Sequence, residues 1–553
     1  MSWRSKTYDE LPALSVRGTQ LRQSLRTVTA AWMLGIVWMT LTAGSTITQY
    51  CQMLGFSQFA FGLLGAIPYI ATFGQLIAAV FIERTGLKKY QFLQCGTVSR
   101  AMWLLLAAIP LVLPVPSQAA VVATLVVLGL SGFLGALGAP ACMTWLGDLI
   151  PRRIRGRYFA LRFQLARPIQ ISVVIVMWLL LDAVTRTRST DPRWVPTFAS
   201  EPALMWMICA MFVAAAFFGA ADIMLFRRVR EVVRCVGEDD QPSVAFPRRP
   251  ADRGLRASAS YWIKYGRSAV RQLLLEPMQD RVFRHYALYM ATLAFAMAAP
   301  GMFFWLNCMN NLGFSMGATQ FLFMVVSPVL GLLGARLWGK ALDRWGRRPV
   351  LMVSSMLTLL SIMPWFFARR ETPSPAFVRD WANAAAGAVA GLFGHHDYVL
   401  LSDSAPVGAF LLAMLCSFFG GIAWTGVQLA QNNVLLSFSD GKGRSKFVAA
   451  SAVLASLGGG LGGIVGGLVA QGLQWMRDNP LDFGVFHWNQ WHVTFLISMV
   501  VRGLAVLWLV NMPDPGAART RDMVRYFMSS AGAHLTAFMV SPLRLFGVRG
   551  DRR

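Results

Sequence analysis

Twelve apolar runs, each long enough to cross a bilayer, recur along the 553-residue chain, and no other feature restricts the fold as severely. A spanning helix needs about 20 mostly apolar residues, and in hydrocarbon only helices and closed barrels satisfy their own backbone. The runs fall at roughly 28–54, 58–82, 91–115, 118–147, 158–182, 203–226, 285–308, 318–341, 349–368, 405–430, 447–474 and 492–512. They predict an all-α integral membrane protein. Composition agrees: 14% of residues are charged, where soluble domains carry about 25%. The first run exceeds the 7–15 residues of a cleavable signal core, so it reads as a first membrane helix and uncleaved targeting signal.

The net charge of +25 would ordinarily raise nucleic acid as a partner. Here the charge is dealt out by loop. Basic residues crowd the N-terminal segment, the loops after spans 2, 4, 8 and 10, the central loop and the tail, while the intervening loops are nearly empty. Such asymmetry sets topology, with basic loops cytoplasmic. It predicts both termini inside the plasma (bacterial inner) membrane, with attraction to anionic lipid as an added effect. The division follows: a cytoplasmic segment 1–27, a six-span bundle 28–226, a cytoplasmic loop 227–284 with a surface helix near 261–275, a second bundle 285–512 with an outer insertion at about 370–402, and a basic amphipathic tail 513–553. The seven cysteines form no CxxC, and most read as small buried hydrophobes. Cys51 and Cys308 alone could meet at outer helix ends.

The two bundles repeat one another. Glu83-Arg84-Thr85-Gly86-Leu87-Lys88-Lys89 follows span 2, and Asp343-Arg344-Trp345-Gly346-Arg347-Arg348 follows span 8, 260 positions later. Arg155-Gly156 opens span 5 and Arg444-Ser445 opens span 11. The segment from Gly339 to Arg348 resembles the G-x-x-x-D-R-x-G-R-R loop of the major facilitator superfamily. Asp148 to Gly156 resembles that family's acid-x-x-P-x-x-x-R-G segment after span 4. The first-half loop departs from the pattern, with Glu for Asp and Leu87 for Arg. The resemblance spans about 28–512 and implies two pseudo-symmetric bundles and a solute carrier working by alternating access. It implies that span 2 abuts span 11 and span 8 abuts span 5. Glu83 would then approach Arg444 or the start of span 11, Asp343 would approach Arg155 or the start of span 5, and Asp148 would pair with Arg84 or a neighbouring Arg, latching the cytoplasmic side. Read more plainly, these charges only anchor loops. The seven glycines of span 11 between Gly458 and Gly467 permit close helix packing, with or without sliding.

The resemblance further implies a cavity lined by spans 1, 4, 7 and 10. Span 1 carries Thr42, Ser45, Thr46 and Gln49 on one face; span 7 offers Tyr289, Asn307 and Asn310; span 10 offers Trp424, Gln428 and Asn432. Polar helix–helix contact is the competing explanation. Charges within the runs are Arg100, Arg162, Arg167, Asp222, Arg336 and Arg502, and intramembrane charge marks function by default. Arg167 lies ~14 Å past Tyr158, near the midplane, with Gln164 one turn before it. It favours a solute with a carboxylate, phosphate or other electron-rich oxygens, unless it serves carbonyls freed by Pro168. Asp222 and Arg162 read as paired or snorkelling near the cytoplasmic end, leaving no carboxylate for a midplane proton relay.

Other chemistries lack their residues. Gly334 to Ala341 nearly matches a phosphate-binding loop but ends on Ala341 where Ser or Thr is needed. His395-His396-Asp397 reads as solvated loop rather than a metal site. No catalytic constellation, cofactor or metal is indicated. The expected partners are a small-molecule solute, the lipid bilayer and an unspecified coupling ion, in a monomer. A multidrug-type efflux carrier for amphipathic compounds and a non-transporting receptor or scaffold are the alternatives.

Overall fold

The apolar runs are helical because a helix satisfies every backbone group within the segment, which hydrocarbon requires. The computed structural model describes residues 18–75, 77–78, 88–150, 152–186, 202–229, 268, 271, 275–391, 405–437, 444–484, 486–514 and 520–529. Eleven of its helices are long and apolar enough to cross a membrane, and a shorter apolar helix, Gln58–Ala71, forms the described part of span 2. Spans 3, 4, 5 and 6 are Lys88–Val112, Gln118–Leu149, Arg152–Arg186 and Pro202–Leu225. Spans 9, 10, 11 and 12 are Arg347–Leu360, Val407–Ser437, Arg444–Gly472 and Gln490–Val510. Short polar caps start several of them. Ser57, Ser117 and Ser315 accept from the backbone N–H three residues on, and Asn489 forms a reciprocal cap with His492. Each such cap stabilises by about 1 kcal/mol.

Spans 1, 7 and 8 are interrupted. Span 1 runs Gly18–Thr42, breaks at Ala43-Gly44 and resumes as Ser45–Met53. Span 7 runs Arg281–Ala298, breaks at 299–302 and resumes as Phe303–Leu306 and a π turn, Asn307–Asn311. Span 8 begins as Met316–Phe321, passes through a π turn, Leu322–Val326, and continues as Ser327–Trp345. The first helix of each half therefore breaks at a comparable place, which a hydropathy profile does not register.

Packing repeats as the loops do. In the first half span 1 packs on spans 5 and 6, span 3 on spans 4 and 6, and span 2 on span 4. In the second half span 7 packs on spans 11 and 12, span 9 on spans 10 and 12, and span 8 on span 10, the same five pairs advanced by six.

Outside the spans two elements were not foreseen. The outer insertion holds a helix, Ala376–Gly391, and a hairpin of β1 (Leu481–Phe483) and β2 (Phe486–Trp488) precedes span 12. The amphipathic tail begins as a helix, Thr520–Ser529, whose Met523 is buried in the cluster that contains Val350 and Met352 of span 9. Most of the surface helix expected at 261–275, the tail beyond 529 and His395-His396-Asp397 lie outside the described residues. Cys51 and Cys308 are both buried and free, so the bridge considered for them is absent.

Candidate functional site

Among the described residues the two halves meet along seams at the end with few basic loop residues, the end that the loop charges predict to be outer. Span 2 packs on span 11 through glycine. A Cβ on Gly463 would fall 2.8 Å from Ala66 N and Gly62 O, and Gly467 and Gly62 are in direct backbone apposition. Gly459 lies against the Tyr69 ring. The alternate glycines of span 11, Gly458, Gly462 and Gly466, lie against Ala291, Phe295 and Ala299 of span 7. One helix thus offers two small-residue faces, one to each half. Spans 5 and 8 make the second seam, with Gly317 against Trp178 and the Trp178 and Phe321 rings 5.9 Å apart.

Between these seams the break of span 1 meets span 8. The Gln320 amide nitrogen donates to the carbonyls of Thr40 and Ala43, both at 3.1 Å. Its oxygen accepts from Ser45 N at 2.9 Å and from the Ser45 hydroxyl at 3.0 Å. Gly44 has φ 76, and a side chain there would meet Gln320 and Trp305.

The polar face of span 1 is inside this closure. Ser45, Thr46 and Gln49 are buried, and Thr46 Oγ1 and Gln49 Oε1 have no hydrogen-bond partner among the described residues. Thr42 turns its hydroxyl back to Trp38 O at 2.9 Å. Asn307 of span 7 is buried, accepts from Asn311 Nδ2 at 3.0 Å and leaves its own amide nitrogen unpaired.

Below the seams, Gln164 of span 5 and Gln428 and Asn432 of span 10 are exposed within apolar spans. An amide facing lipid leaves hydrogen bonds unmade, so such positions mark a water-filled space. Arg167 is half-buried on the same side, one turn from the contact of Gln170 with Met324 of span 8. Arg167 Nη1 donates to Gln170 Oε1 at 2.7 Å, and no acidic side chain pairs with it among the described residues.

Other predicted lining residues lie elsewhere. Tyr289 is fully buried and its hydroxyl shares a 2.6 Å hydrogen bond with Ser355 of span 9, inside the second half. Asn310 is exposed at the outer end of span 7. Trp424 is half-buried beside Arg502, whose guanidinium lies 5.2 Å from the ring centroid and donates to Thr358 O at 3.1 Å.

The gate motifs divide similarly. Glu83, Arg84 and Gly86 lie outside the described residues. Asp148, Arg155, Gly156 and Arg444 sit in helices, with only their backbone described. Asp343 is exposed at the inner end of span 8, Gly339 has open space around it, and Arg344 lies over the Trp345 ring at 5.1 Å. Gly346, φ 85, makes the turn into span 9. Arg347 and Arg348 make contacts within their own half. Arg347 Nε donates to Asp514 at 3.0 Å, and Arg348 donates to the carbonyls of Leu509 and Val510 at the end of span 12.

The buried charges inside the first half were underestimated. Asp222 of span 6 lies 3.9 Å from Arg100, which sits at the middle of span 3 with its guanidinium 3.2 Å from the Trp38 ring centroid. Arg162 lies 4.2 Å from the Trp32 ring centroid. Asp222 thus sits near the end of span 6 and is paired, as its position implied, and its partner is an arginine that reaches it from the middle of span 3. Gln320, the other omission, was signalled only by a single amide opening an apolar run.

The sequence profile described as Major Facilitator Superfamily matches residues 27–409. No curated protein matches the chain. Among solved structures, the inward-open xylose transporter XylE from E. coli is similar with TM-score 0.54 and 15% identity, covering 92% of this chain and 99% of that one. The nucleoside transporter NupG, solved as a variant, gives TM-score 0.53 and 14% identity over 89% of this chain and 100% of that one. A bacterial homolog of the human lysosomal transporter Spinster gives TM-score 0.54 and 14% identity over 89% and 97%. Likeness at this identity is likeness of fold.

Proposed function

The chain belongs to the Major Facilitator Superfamily, and from that premise we propose that it carries a small polar solute bearing a carboxylate, phosphate or comparable oxygen-rich group. It is an integral membrane protein that moves solute by alternating access. The observation that carries the finer reading is Arg167. It is half-buried in span 5, donates to the neutral amide of Gln170 and, among the described residues, pairs with no carboxylate. A guanidinium stays charged at any working pH, and in an apolar bundle it needs an anion, water, or carbonyls and ring faces such as those that hold Arg502. Gln164 and Gln170, within one turn of it on the same helix, and the exposed Gln428 of span 10 are neutral amides able to orient a solute without repelling its charge. The xylose and nucleoside carriers of the same fold take polar solutes by name, which is compatible with a polar cavity here.

The remaining assignments are part of the same proposal. The basic-loop end faces the cytoplasm of a plasma membrane, and the protein works as a monomer. The exposed charges Asp343 and Arg344, with Asp148, Arg155 and Arg444, close the inner side in the opposite state.

Counterflow in proteoliposomes holding the purified chain, run with a panel of carboxylates, phosphates, sugars and nucleosides, identifies the class. Arg167→Lys keeps the charge and loses the paired donor geometry, so uptake of the transported anion falls about tenfold or more at unchanged expression. Lys and Gln variants that transport normally per folded molecule remove the anion preference and make Arg167 structural.

A further inference from the structure

We propose that Gln320 is the outer latch of the carrier, a side chain of the second half that completes the broken helix of the first. The inference rests on the alternating-access reading and names the residue that holds its outer side shut.

The break at Ala43-Gly44 has a physical cost. A helix interrupted inside a membrane frees backbone carbonyls and N–H groups that water does not reach there. Among those groups at this break are the carbonyls of Thr40 and Ala43 and the N–H of Ser45. One primary amide has two donors and an acceptor oxygen with two lone pairs. Gln320 spends both donors on the two carbonyls and its oxygen on the Ser45 N–H and hydroxyl. It is buried, with 1% of its surface exposed, so water does not compete.

Every partner in this set lies on span 1 and Gln320 lies on span 8, across the boundary between halves. The contact therefore exists only while the outer ends are together. When the halves part at this end, the freed groups of span 1 and the amide of Gln320 must be hydrated or re-paired. Helix interiors supply no such penalty, because their backbone bonds travel with the helix. The break thus converts backbone polarity into a state-dependent attraction. Gly44 is required by the same geometry: its φ of 76 turns the chain, and a side chain there would occupy the space of the Gln320 oxygen and the Trp305 ring. The glycine seam of spans 2 and 11 brings the halves close through mostly apolar contacts, with Phe59 N–H donating to Gln471 Oε1 at 3.3 Å in an exposed position, so it distinguishes a closed outer end less sharply than four buried hydrogen bonds do.

The test uses the full chain in intact cells, with native cysteines replaced by alanine and a reporter introduced by Thr46→Cys, buried behind the latch. The probe is a membrane-impermeant methanethiosulfonate added outside. Gln320→Leu keeps the volume and removes all four hydrogen bonds, and it raises the outside labelling rate about tenfold. Ser45→Ala removes one of the four and raises the rate less, which guards against a Gln320 variant that fails to fold. Gly463→Leu is the reference that forces the seam of spans 2 and 11 apart sterically and raises labelling whatever Gln320 does. Labelling that rises in Gly463→Leu but stays at the parent rate in folded Gln320→Leu and Ser45→Ala overturns the latch and leaves alternating access standing. Labelling that rises in none of the three contradicts outer opening itself, and the latch with it.

Discussion

At the scale of single residues, the decisive positions are those whose polarity or shape fits one neighbour only. Arg100 and Asp222 show this inside the first half. Removing one partner of a buried pair leaves an uncompensated charge and costs about 3 kcal/mol or more, whereas removing both is nearly neutral. Asp222→Asn should therefore lower the melting temperature of the detergent-purified chain, and the double variant Asp222→Asn with Arg100→Gln should recover most of the loss. Equal melting of single and double variants would show that the 3.9 Å pair contributes nothing. Gly44→Ala should cost more than the ~1–2 kcal/mol of a left-handed backbone alone, because its methyl also meets Gln320 and Trp305. Residues of this kind were partly legible in the sequence. Arg100, Arg167 and Asp222 stand out as charges in apolar runs, but which charges meet depends on helix rotation and side-chain reach. Tyr289 shows the limit, since its spacing is equally compatible with the cavity and with Ser355 of its own half.

At the scale of elements, span 11 is the joint between the halves. Its glycines alternate between a face on span 2 and a face on span 7, so its two neighbours impose different demands. Bulk on the span 7 face, as in Gly462→Leu, should disrupt the second half and reduce the yield of folded protein. Bulk at Gly472, where nothing lies within 4 Å, should leave both yield and melting unchanged. Gel filtration of fluorescently tagged variants separates the two, and equal profiles would mean that glycine in span 11 reflects composition rather than packing. The existence of the spans and their order were readable from hydropathy, because lipid demands long apolar helices. The breaks in spans 1 and 7 were not, because a break adds no charge and changes no run of apolar residues. The helix Ala376–Gly391 was missed for the opposite reason: Arg379, Asp380 and Asn383 make its segment look like a loop.

At the scale of the whole molecule, five packing pairs recur in both halves, and the halves join at the outer end through spans 2 and 11, 5 and 8, and 1 with 7 and 8. The loop motif that exposed the repeat in the sequence reports duplication faithfully, since the packing repeats where the loops do. It reports function less directly, since Arg347 and Arg348 bind the end of span 12 in their own half. The central claim is that the two bundles rock as bodies, with outer and inner ends opening in turn. Spin labels placed at exposed positions test it without touching the seams: Leu179 with Leu468 at the outer ends of spans 5 and 11, and Leu161 with Val448 at the inner ends. Double electron–electron resonance in lipid discs reads both pairs in the parent chain and in Gly463→Leu. Rocking predicts that the outer pair lengthens as the inner pair shortens. Two pairs that stay fixed, or that lengthen together, would contradict it.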